Sequence, residues 1–340
     1  MGDLQQMNEI TGKYQNKMLN CEKALACILV IILHCEFPTI IGSIINIVAR
    51  VGVPLFFMTS GFFSISQDQD KAKKKLRIKV LRTLKLVVVY YVLNICYDVI
   101  VKCWLFHQET ISQMISILIN PKSIRDAIVW NRTLIGIGGW FLPALMFCYG
   151  IVYFLYCNRM IEKAYKFIIP LFVGYFIISR GMAIPVWYSR NYLFDGLPFF
   201  LIGAYCSQNK ERIDFIDKSK LLLLTGGGIG IGCVERFTGG YDLYVGVIIA
   251  AVAIFAFAIK NESYTLGHCL EFIGENLTLN VYLIHPLILQ LLYCHEDIFN
   301  VQGVVYEWCR PVIVIIITLT LSKVIYILQR KITNNARKKL

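Results

Sequence analysis

Lys23-Ala-Leu-Ala-Cys-Ile-Leu-Val-Ile-Ile-Leu-His34 places ten apolar residues between a lysine and a histidine. A run of this kind is typical of a helix in hydrocarbon, where all backbone polar groups must be paired within the segment. An imidazole in such a helix is costly unless it pairs with another group or faces a cavity. The stretch therefore predicts a membrane helix and makes His34 a candidate functional residue.

The composition of the whole chain extends this prediction. Hydrophobic residues make up 57% of the 340 residues and charged residues 16%, whereas about a quarter of an ordinary soluble domain is charged. We therefore predict an all-α fold, a polytopic transmembrane helical bundle. The first twenty residues contain no apolar region of a removable signal peptide. Because the twelve cysteines are scattered without a metal-binding spacing, no metal site is predicted.

Apolar runs of roughly 17 to 25 residues can cross a bilayer, and they divide the chain into ten predicted spans. These spans fall near 21-39, 43-65, 86-106, 135-157, 166-182, 193-208, 220-236, 243-259, 277-294 and 309-328. The predicted regions are thus an N-terminal segment (1-20), a membrane domain (21-328) and a basic tail (329-340).

Lysine and arginine concentrate on alternate connections between these spans, above all in the run from Lys71 to Lys85. Cytoplasmic loops carry such an excess, so both termini are predicted to be cytoplasmic. Anionic lipid headgroups account for the net charge of +12, because they attract basic loops next to a membrane. Membrane lipids are therefore predicted partners, and nucleic acid is not.

Three polar residues reach similar depths near the middle of the membrane if each helical residue rises about 1.5 Å. They are His34, Arg50 and His285. Lys23 lies at the inner mouth of this layer, and a second set lies at or near the outer mouth: Trp140, Arg180, Arg190 and Asn191. The layout predicts a polar path across the bilayer with the most reactive groups in its middle.

Purely structural explanations stay open for these residues. His34 can be an interhelical hydrogen-bond partner, and the ring of His285 can satisfy a carbonyl that Pro286 leaves without a donor. Lys23 can extend to the interface. Arg50 needs an anionic or dipolar partner, either permanent or supplied by a ligand.

Two other segments contain glycine or proline inside apolar runs. Gly226-Gly-Gly-Ile-Gly230-Ile-Gly232 has no preceding strand and lacks the spacing of a phosphate loop, so close packing between helices explains it better. The segment from Val53 to Phe63 contains Pro54, which is typical of a kinked helix.

Four segments spread over the chain carry more specific patterns. They are Lys23 with His34; Gly52-Val-Pro-Leu-Phe-Phe-Met-Thr-Ser60-Gly61-Phe62-Phe63; Gly139-Trp140-Phe141-Leu142; and Ile273-Gly274-Glu-Asn276-Leu-Thr-Leu-Asn-Val-Tyr282-Leu-Ile-His285-Pro286. Together they resemble the acyltransferase-3 family of integral membrane acyltransferases, with its Arg/Lys-x10-His motif and its Ser-Gly-Phe, Trp-Phe-Leu and Tyr-Leu-x-His-Pro blocks. A fifth segment, from Arg190 to Gly203, is similar to the membrane part of vancomycin-resistance serine racemases, which belongs to the same group.

The resemblance implies a function. It implies transfer of an acyl group, usually acetyl, from cytoplasmic acetyl-CoA or another acyl-CoA to a hydroxyl of a cell-surface or lipid-linked glycan. Acyl-CoA is then a substrate, and no permanently bound cofactor is implied. The implied location is a bacterial cytoplasmic membrane.

The resemblance also assigns roles to residues of this sequence. His34 is expected to act as general base on the acceptor hydroxyl, with an acyl-carrying nucleophile as the alternative. Arg50 is expected to stabilise the oxyanion, and Lys23 with part of the Lys71 to Lys85 run to bind CoA. Supporting roles are expected for Ser60, His285 and Asn276, and sugar contacts for Trp140, Arg190 and Asn191.

Two departures and two competing functions accompany this interpretation. Lys23 stands where the family more often has arginine, and a lysine lacks the bidentate fork of a guanidinium. In addition, no histidine precedes Trp140.

A transporter or binding module for a small carboxylate such as serine is the main alternative, because Arg50 can hold a carboxylate. The absence of an evident internal repeat argues modestly against a transporter, and three polar groups at one depth argue against a structural scaffold.

Overall fold

The computed structural model describes residues 16–66, 68–105, 110–136, 138–182, 185–239, 241–299 and 303–337. Most of these residues are helical, and no strand occurs among them, which confirms the all-α prediction. Most of the predicted N-terminal segment 1-20, and the end of the predicted tail 329-340, lie outside the described residues.

The α-helices are α1 (Lys17–His34), α2 (Thr39–Ala49), α3 (Gly52–Phe62), α4 (Gln69–Tyr97), α5 (Ile111–Ile119), α6 (Pro121–Val129), α7 (Phe141–Cys157), α8 (Ile161–Tyr165), α9 (Ile168–Gly181), α10 (Leu197–Gln208), α11 (Lys210–Asp214), α12 (Lys218–Thr238), α13 (Val245–Lys260), α14 (His268–Asn276), α15 (Thr278–Phe299) and α16 (Val304–Arg337). Two π-helical segments adjoin them: Asp98–Leu105 continues α4, and Tyr192–Gly196 leads into α10.

Each of the ten predicted apolar spans overlaps at least one of these helices, but the count of ten membrane crossings stays a prediction. Among the described residues, four helical stretches are long and apolar enough to cross a membrane, and a bent pair, α14 with the first part of α15, makes up to five. The four are Thr39–Phe62, Gln69–Leu105, Lys218–Thr238 and Val304–Asn335. Helices α7, α9 and α13 are apolar but shorter. The structure is thus that of a helical membrane protein.

The second predicted span is interrupted between α2 and α3, at Arg50 and Val51. Pro54 lies in the first turn of α3, and it has no backbone N–H to close a helical bond with the carbonyl of Arg50. The helix therefore ends and restarts at this point. The interruption leaves Arg50 at the end of α2 and separates it from the α3 face that carries Ser60.

Helices α3 and α10 meet backbone to backbone in the middle of the main core. A methyl group on Gly61 would collide with the carbonyl oxygen of Phe200, and one on Gly203 would collide with the carbonyl oxygen of Met58. Phe200 and Met58 are themselves fully buried. Only a residue without a side chain allows this approach, so the two glycines fix the distance between the helices.

A second close contact joins α12 to α13. Side chains added to Gly228 or Gly232 would meet α13, because Gly228 lies against Gly246 and Ala250. Open space surrounds Gly226, Gly227 and Gly230. The interpretation of this glycine run as a packing motif is therefore confirmed for the glycines that face α13.

Candidate active site

Helix α1 presents one continuous stripe to a large cavity. Lys23, Cys27, Val30 and His34 all line it, and their spacing of four, three and four residues keeps them on one face of a helix. The eleven-residue step from Lys23 to His34 makes three turns, so the two polar groups lie on the same face roughly 16 Å apart. The spacing therefore puts a cation at one end of the stripe and an imidazole at the other.

This first cavity has a volume of about 360 Å³. Its walls are mostly apolar, and its polar lining includes Lys23, Thr59, Ser60, Lys79, Arg82, Thr83, Tyr149, Thr278, Tyr282 and the histidines His34 and His285. The three cations come from α1 and α4, whereas both histidines lie at the opposite end of the α1 stripe. One end of the cavity is therefore cationic and the other carries imidazoles.

Lys79 is held in the wall by two neighbours. Its ammonium donates to Ser64 Oγ at 2.9 Å and lies 5.2 Å from the centre of the Tyr149 ring. Ser64 in turn donates to the backbone carbonyl of Ser60. The sequence predicted a role for part of the Lys71 to Lys85 run; the structure places Lys79 and Arg82 of that run in the wall.

A second cavity, of about 230 Å³, adjoins the first. Its polar and aromatic lining consists of His34, Asn131, Arg132, Thr133, Trp140, Trp187 and Arg190. His34, Gly138 and Trp140 belong to the walls of both cavities. The imidazole of His34 therefore borders both cavities.

Gly138 fits closely against this histidine. A methyl group on Gly138 would lie 2.9 Å from His34 Nε2, and the φ angle of +71° at this residue suits glycine. The Tyr282 hydroxyl donates to the carbonyl of Gly138 at 3.2 Å, and the Tyr293 hydroxyl donates to the backbone carbonyl of His34 at 2.5 Å. Two tyrosines thus fix the shared wall from both sides.

His285 is paired with His34 and lines the first cavity. The ring centroids are 5.7 Å apart. His285 Nδ1 lies 2.9 Å from the carbonyl oxygen of Val281, so this nitrogen carries the proton of the neutral ring, since a carbonyl only accepts. Its Nε2 atom is buried and has no hydrogen-bond partner among the described residues, which leaves a lone pair for a ligand or for a proton.

Arg50 lies apart from both cavity walls. Its guanidinium donates to the backbone oxygen of Asp242 and to Asn46 Oδ1, the latter at 3.0 Å. It also lies 3.4 Å from the Asp242 carboxylate, and the same oxygen lies 3.4 Å from Arg190. The anionic partner that the sequence required for Arg50 is thus Asp242, and this carboxylate connects Arg50 to Arg190 of the second cavity.

The other predicted site residues divide into two groups. Lys23 and Ser60 line the first cavity, Trp140 lines both, and Arg190 lines the second. Asn191 caps the π-helix that begins at Tyr192 by accepting from the amides of Leu193 and Phe194. Asn276 donates to the backbone oxygen of Phe272, so neither asparagine belongs to a cavity wall.

Several residues of the site were not predicted from the sequence. Arg132 and Trp187 lie in connections between helices, and Tyr293 and Asp242 act on a backbone carbonyl or on another side chain. No spacing rule within one helix connects these residues to His34. The sequence did contain a signal for one wall residue: Tyr282, which contacts Gly138, is part of the Tyr-Leu-x-His-Pro block.

Comparison with known proteins identifies the class of this domain. A family model described as an acyltransferase domain, of the acyltransferase-3 group, matches residues 16–327. The chain therefore belongs to the acyltransferase-3 family. The resemblance predicted from the motifs is confirmed.

A relative adds a second similarity. An amino-acid racemase from Enterococcus faecalis is 32% identical to this chain over 183 residues, which cover 49% of this chain and 24% of the relative. The chain thus matches about a quarter of the racemase's length, and this similarity agrees with the racemase resemblance of the segment from Arg190 to Gly203. No solved structure matches the chain.

Proposed function

We propose that this chain is a membrane O-acyltransferase that moves an acyl group, in the first instance acetyl, from acyl-CoA to a hydroxyl of a cell-surface or lipid-linked glycan. One observation carries the proposal: His34 belongs to the walls of a cationic cavity and of a separate cavity lined by tryptophan and arginine. A donor and an acceptor that approach from opposite sides would meet at its imidazole.

The first cavity suits acyl-CoA. Lys23, Lys79 and Arg82 offer cations to the CoA phosphates, and phosphates pair well with lysine and arginine. The apolar wall between these cations and His34 accommodates the pantetheine arm and the acyl chain. This order brings the thioester, and not the charged nucleotide, to the imidazole.

The reaction then follows from the two compartments. His34 takes the proton of the acceptor hydroxyl while the hydroxyl oxygen bonds to the thioester carbonyl carbon. The carbon–sulfur bond breaks as the tetrahedral intermediate collapses, and the leaving CoA thiolate receives from His34 the proton that came from the acceptor hydroxyl. His285 Nε2, unpaired and buried beside His34, supports a role for the second ring in this proton transfer.

The topology is part of the proposal. Ten spans with both termini in the cytoplasm put the Lys71 to Lys85 run, and with it the cationic end of the first cavity, on the side where acyl-CoA is made. The second cavity then faces the outer side of a bacterial cytoplasmic membrane. Because CoA phosphates cannot enter hydrocarbon, only the acyl group crosses.

The racemase similarity favours a second candidate function. The relative is named an amino-acid racemase, and the arginines of the second cavity could hold the carboxylate of a small amino acid such as serine. In that case the membrane domain would bind or transport the amino acid, and acyl-CoA would have no part.

An acyl-transfer assay separates the two functions. We expect purified protein in lipid nanodiscs, supplied with acetyl-CoA labelled in the acetyl group and a crude glycan fraction, to release CoA and to move label to the glycan. CoA release should be followed by chromatography, because Cys96, Cys157, Cys269 and Cys309 are exposed and would react with thiol reagents. Uptake of labelled serine into proteoliposomes without acyl-CoA, together with no label transfer, would contradict the proposed enzyme.

Replacement of Lys79 tests the donor cavity. We expect Lys79→Met to raise the KM for acetyl-CoA by about ten-fold with a smaller change in kcat, because a charge-assisted contact to a phosphate contributes roughly 1.5–3 kcal/mol. Lys331→Met, a change of the same kind at an exposed position of α16, is the control and should leave KM unchanged. An unchanged KM in Lys79→Met, measured with acetyl-CoA as the varied substrate, would place the donor elsewhere.

A further inference from the structure

The second cavity is unusual in the charges of its wall. Arg132 and Arg190 both line it, and no acidic side chain of the described part of the chain does. His34 and two tryptophans complete its functional groups. A neutral sugar needs no such concentration of positive charge.

The carboxylates that lie near these arginines are shared with other arginines. Asp242 Oδ1 lies 3.4 Å from Arg190 and 3.4 Å from Arg50. Asp126 is bound closely by Arg125, at 2.7 Å, and lies 3.9 Å from Arg132. The buried Asp195 also interacts electrostatically with both Arg190 and Arg50. The arginines of the wall therefore share their counter-charges with other arginines and keep N–H donors for a ligand.

Aromatic faces hold the two guanidinium groups. Arg132 lies 4.5 Å from the centre of a Trp187 ring, and Arg190 lies 5.9 Å from the centre of Trp140. Such stacking orients the planar guanidinium, and an oriented fork can bind both oxygens of a carboxylate.

Side-chain hydrogen bonds also connect backbone segments around the second cavity. Asn131 is buried; its amide donates to the carbonyl of Trp140 at 3.1 Å, and its side-chain oxygen accepts from the amide of Tyr192 at 2.8 Å. One side chain thus connects the segment that carries Trp140 to the segment that follows Arg190. The wall is therefore preorganised, and few side chains need to become ordered when a ligand binds.

We propose that this cavity selects a hydroxyl-bearing carboxylate, whose carboxylate binds Arg132 and Arg190 while a hydroxyl of the same ligand faces His34. The inference rests on the proposed function and names its acceptor class. The two arginines already share carboxylate partners, so they have limited positive charge left to offer. A singly charged carboxylate therefore matches them better than a phosphate monoester, which carries about two negative charges at neutral pH. The carboxylate can belong to an acidic sugar or to a free amino acid.

Matched soluble probes test the selection without acyl-CoA. Methyl β-glucuronide is compared with methyl β-glucoside, from which it differs by a carboxylate, and L-serine is compared with L-serinamide. Binding to the full chain in nanodiscs is followed by tryptophan fluorescence, since two tryptophans line the cavity. We expect at least one carboxylate to bind about ten-fold more tightly than its neutral or amide match, as for a hydrogen bond to a charged group. Preference for the glucuronide identifies an acidic glycan, and preference for serine identifies an amino acid.

Arginine variants test whether the carboxylate preference arises in the second cavity. Arg190→Gln and Arg132→Gln should each remove most of the preference, and Arg190→Lys should keep part of it because it retains the charge and loses the fork. Arg180→Gln is the matched control, because Arg180 pairs with Glu235 at 2.7 Å, lies 4.4 Å from the centre of the Tyr241 ring and is outside the wall. Heat-stability measurements on every variant verify that it is folded.

Three results would overturn the inference: no carboxylate preference in the wild type, a preference that survives both glutamine variants, or equal loss in Arg180→Gln. The readout needs no acyl-CoA, so it is separable from the proposed enzyme. If the preference is found but no acyl group is transferred, the cavity is a carboxylate site and the proposed function fails. If acyl transfer is found without the preference, the proposed function stands and this inference fails.

Discussion

Replacement of His34 by alanine is expected to lower the rate of acyl transfer by about 10²- to 10⁴-fold, the usual contribution of a general base. The physical reason is position: among the described residues, His34 is the titratable base that lines both cavities, so it would border both proposed substrates. Rates should be measured with acetyl-labelled CoA at saturating donor and acceptor. Because the donor cations are unchanged, the KM for acetyl-CoA should stay close to that of the wild type.

His268→Ala is the control for this substitution, since His268 is exposed at the start of α14 and should leave the rate unchanged. His285→Ala should reduce the rate less than His34→Ala, because His285 lines only the first cavity. The general-base mechanism also predicts no acyl group on the denatured wild-type protein. A His34→Ala rate near that of the wild type would remove His34 from the centre of the mechanism, and label on His34 would indicate a two-step transfer.

Replacement of Gly203 by alanine is expected to destabilise the fold by about 3 kcal/mol or more, at or beyond the upper end for overpacked cores. The added methyl group would collide with the backbone carbonyl of Met58, and a backbone group cannot rotate away as a side chain can. Helices α3 and α10 would have to separate, which would also displace the α3 face that carries Ser60. The measurement is the fraction of protein that stays monodisperse after heating, across a temperature series.

Gly230→Ala provides the matched control. The same methyl group enters open space there, and alanine is more favourable than glycine inside a helix by about 1 kcal/mol. The two substitutions should therefore shift the apparent melting temperature in opposite directions. Equal shifts for Gly203→Ala and Gly230→Ala would mean that the α3–α10 contact does not limit the stability of the fold.

The parts of this molecule that follow from local sequence were predictable. Apolar runs mark the helices because a helix in lipid must pair its own backbone groups, and the eleven-residue spacing of Lys23 and His34 defines one helix face. The ends of the helices were less predictable. Helix α1 begins at Lys17, several residues before the apolar run itself. Asn16 caps this end, because its side-chain oxygen accepts from the Leu19 amide at 2.8 Å.

The parts that depend on contacts between distant segments were not predictable. Arg50, the cation nearest the middle of the predicted membrane, suggested an oxyanion contact, whereas the structure pairs it with Asp242, which lies in a connection far along the chain. Lys79 could not be distinguished from its basic neighbours until the cavity wall was known. Arg132 lies in a loop and Trp187 in a single 3-10 turn, Val186–Tyr188, so only the fold brings them to His34.

The wall shared by the two cavities has a consequence for the proposed acyl transfer. His34, Gly138 and Trp140 belong to both walls, and a close-fitting glycine backbone lies against the imidazole. In the described part of the chain these three residues stand between the two cavities. In the acyl transfer proposed above, the acyl group would pass this wall at the imidazole, so the group proposed to perform the chemistry would also be the one that separates the two sides.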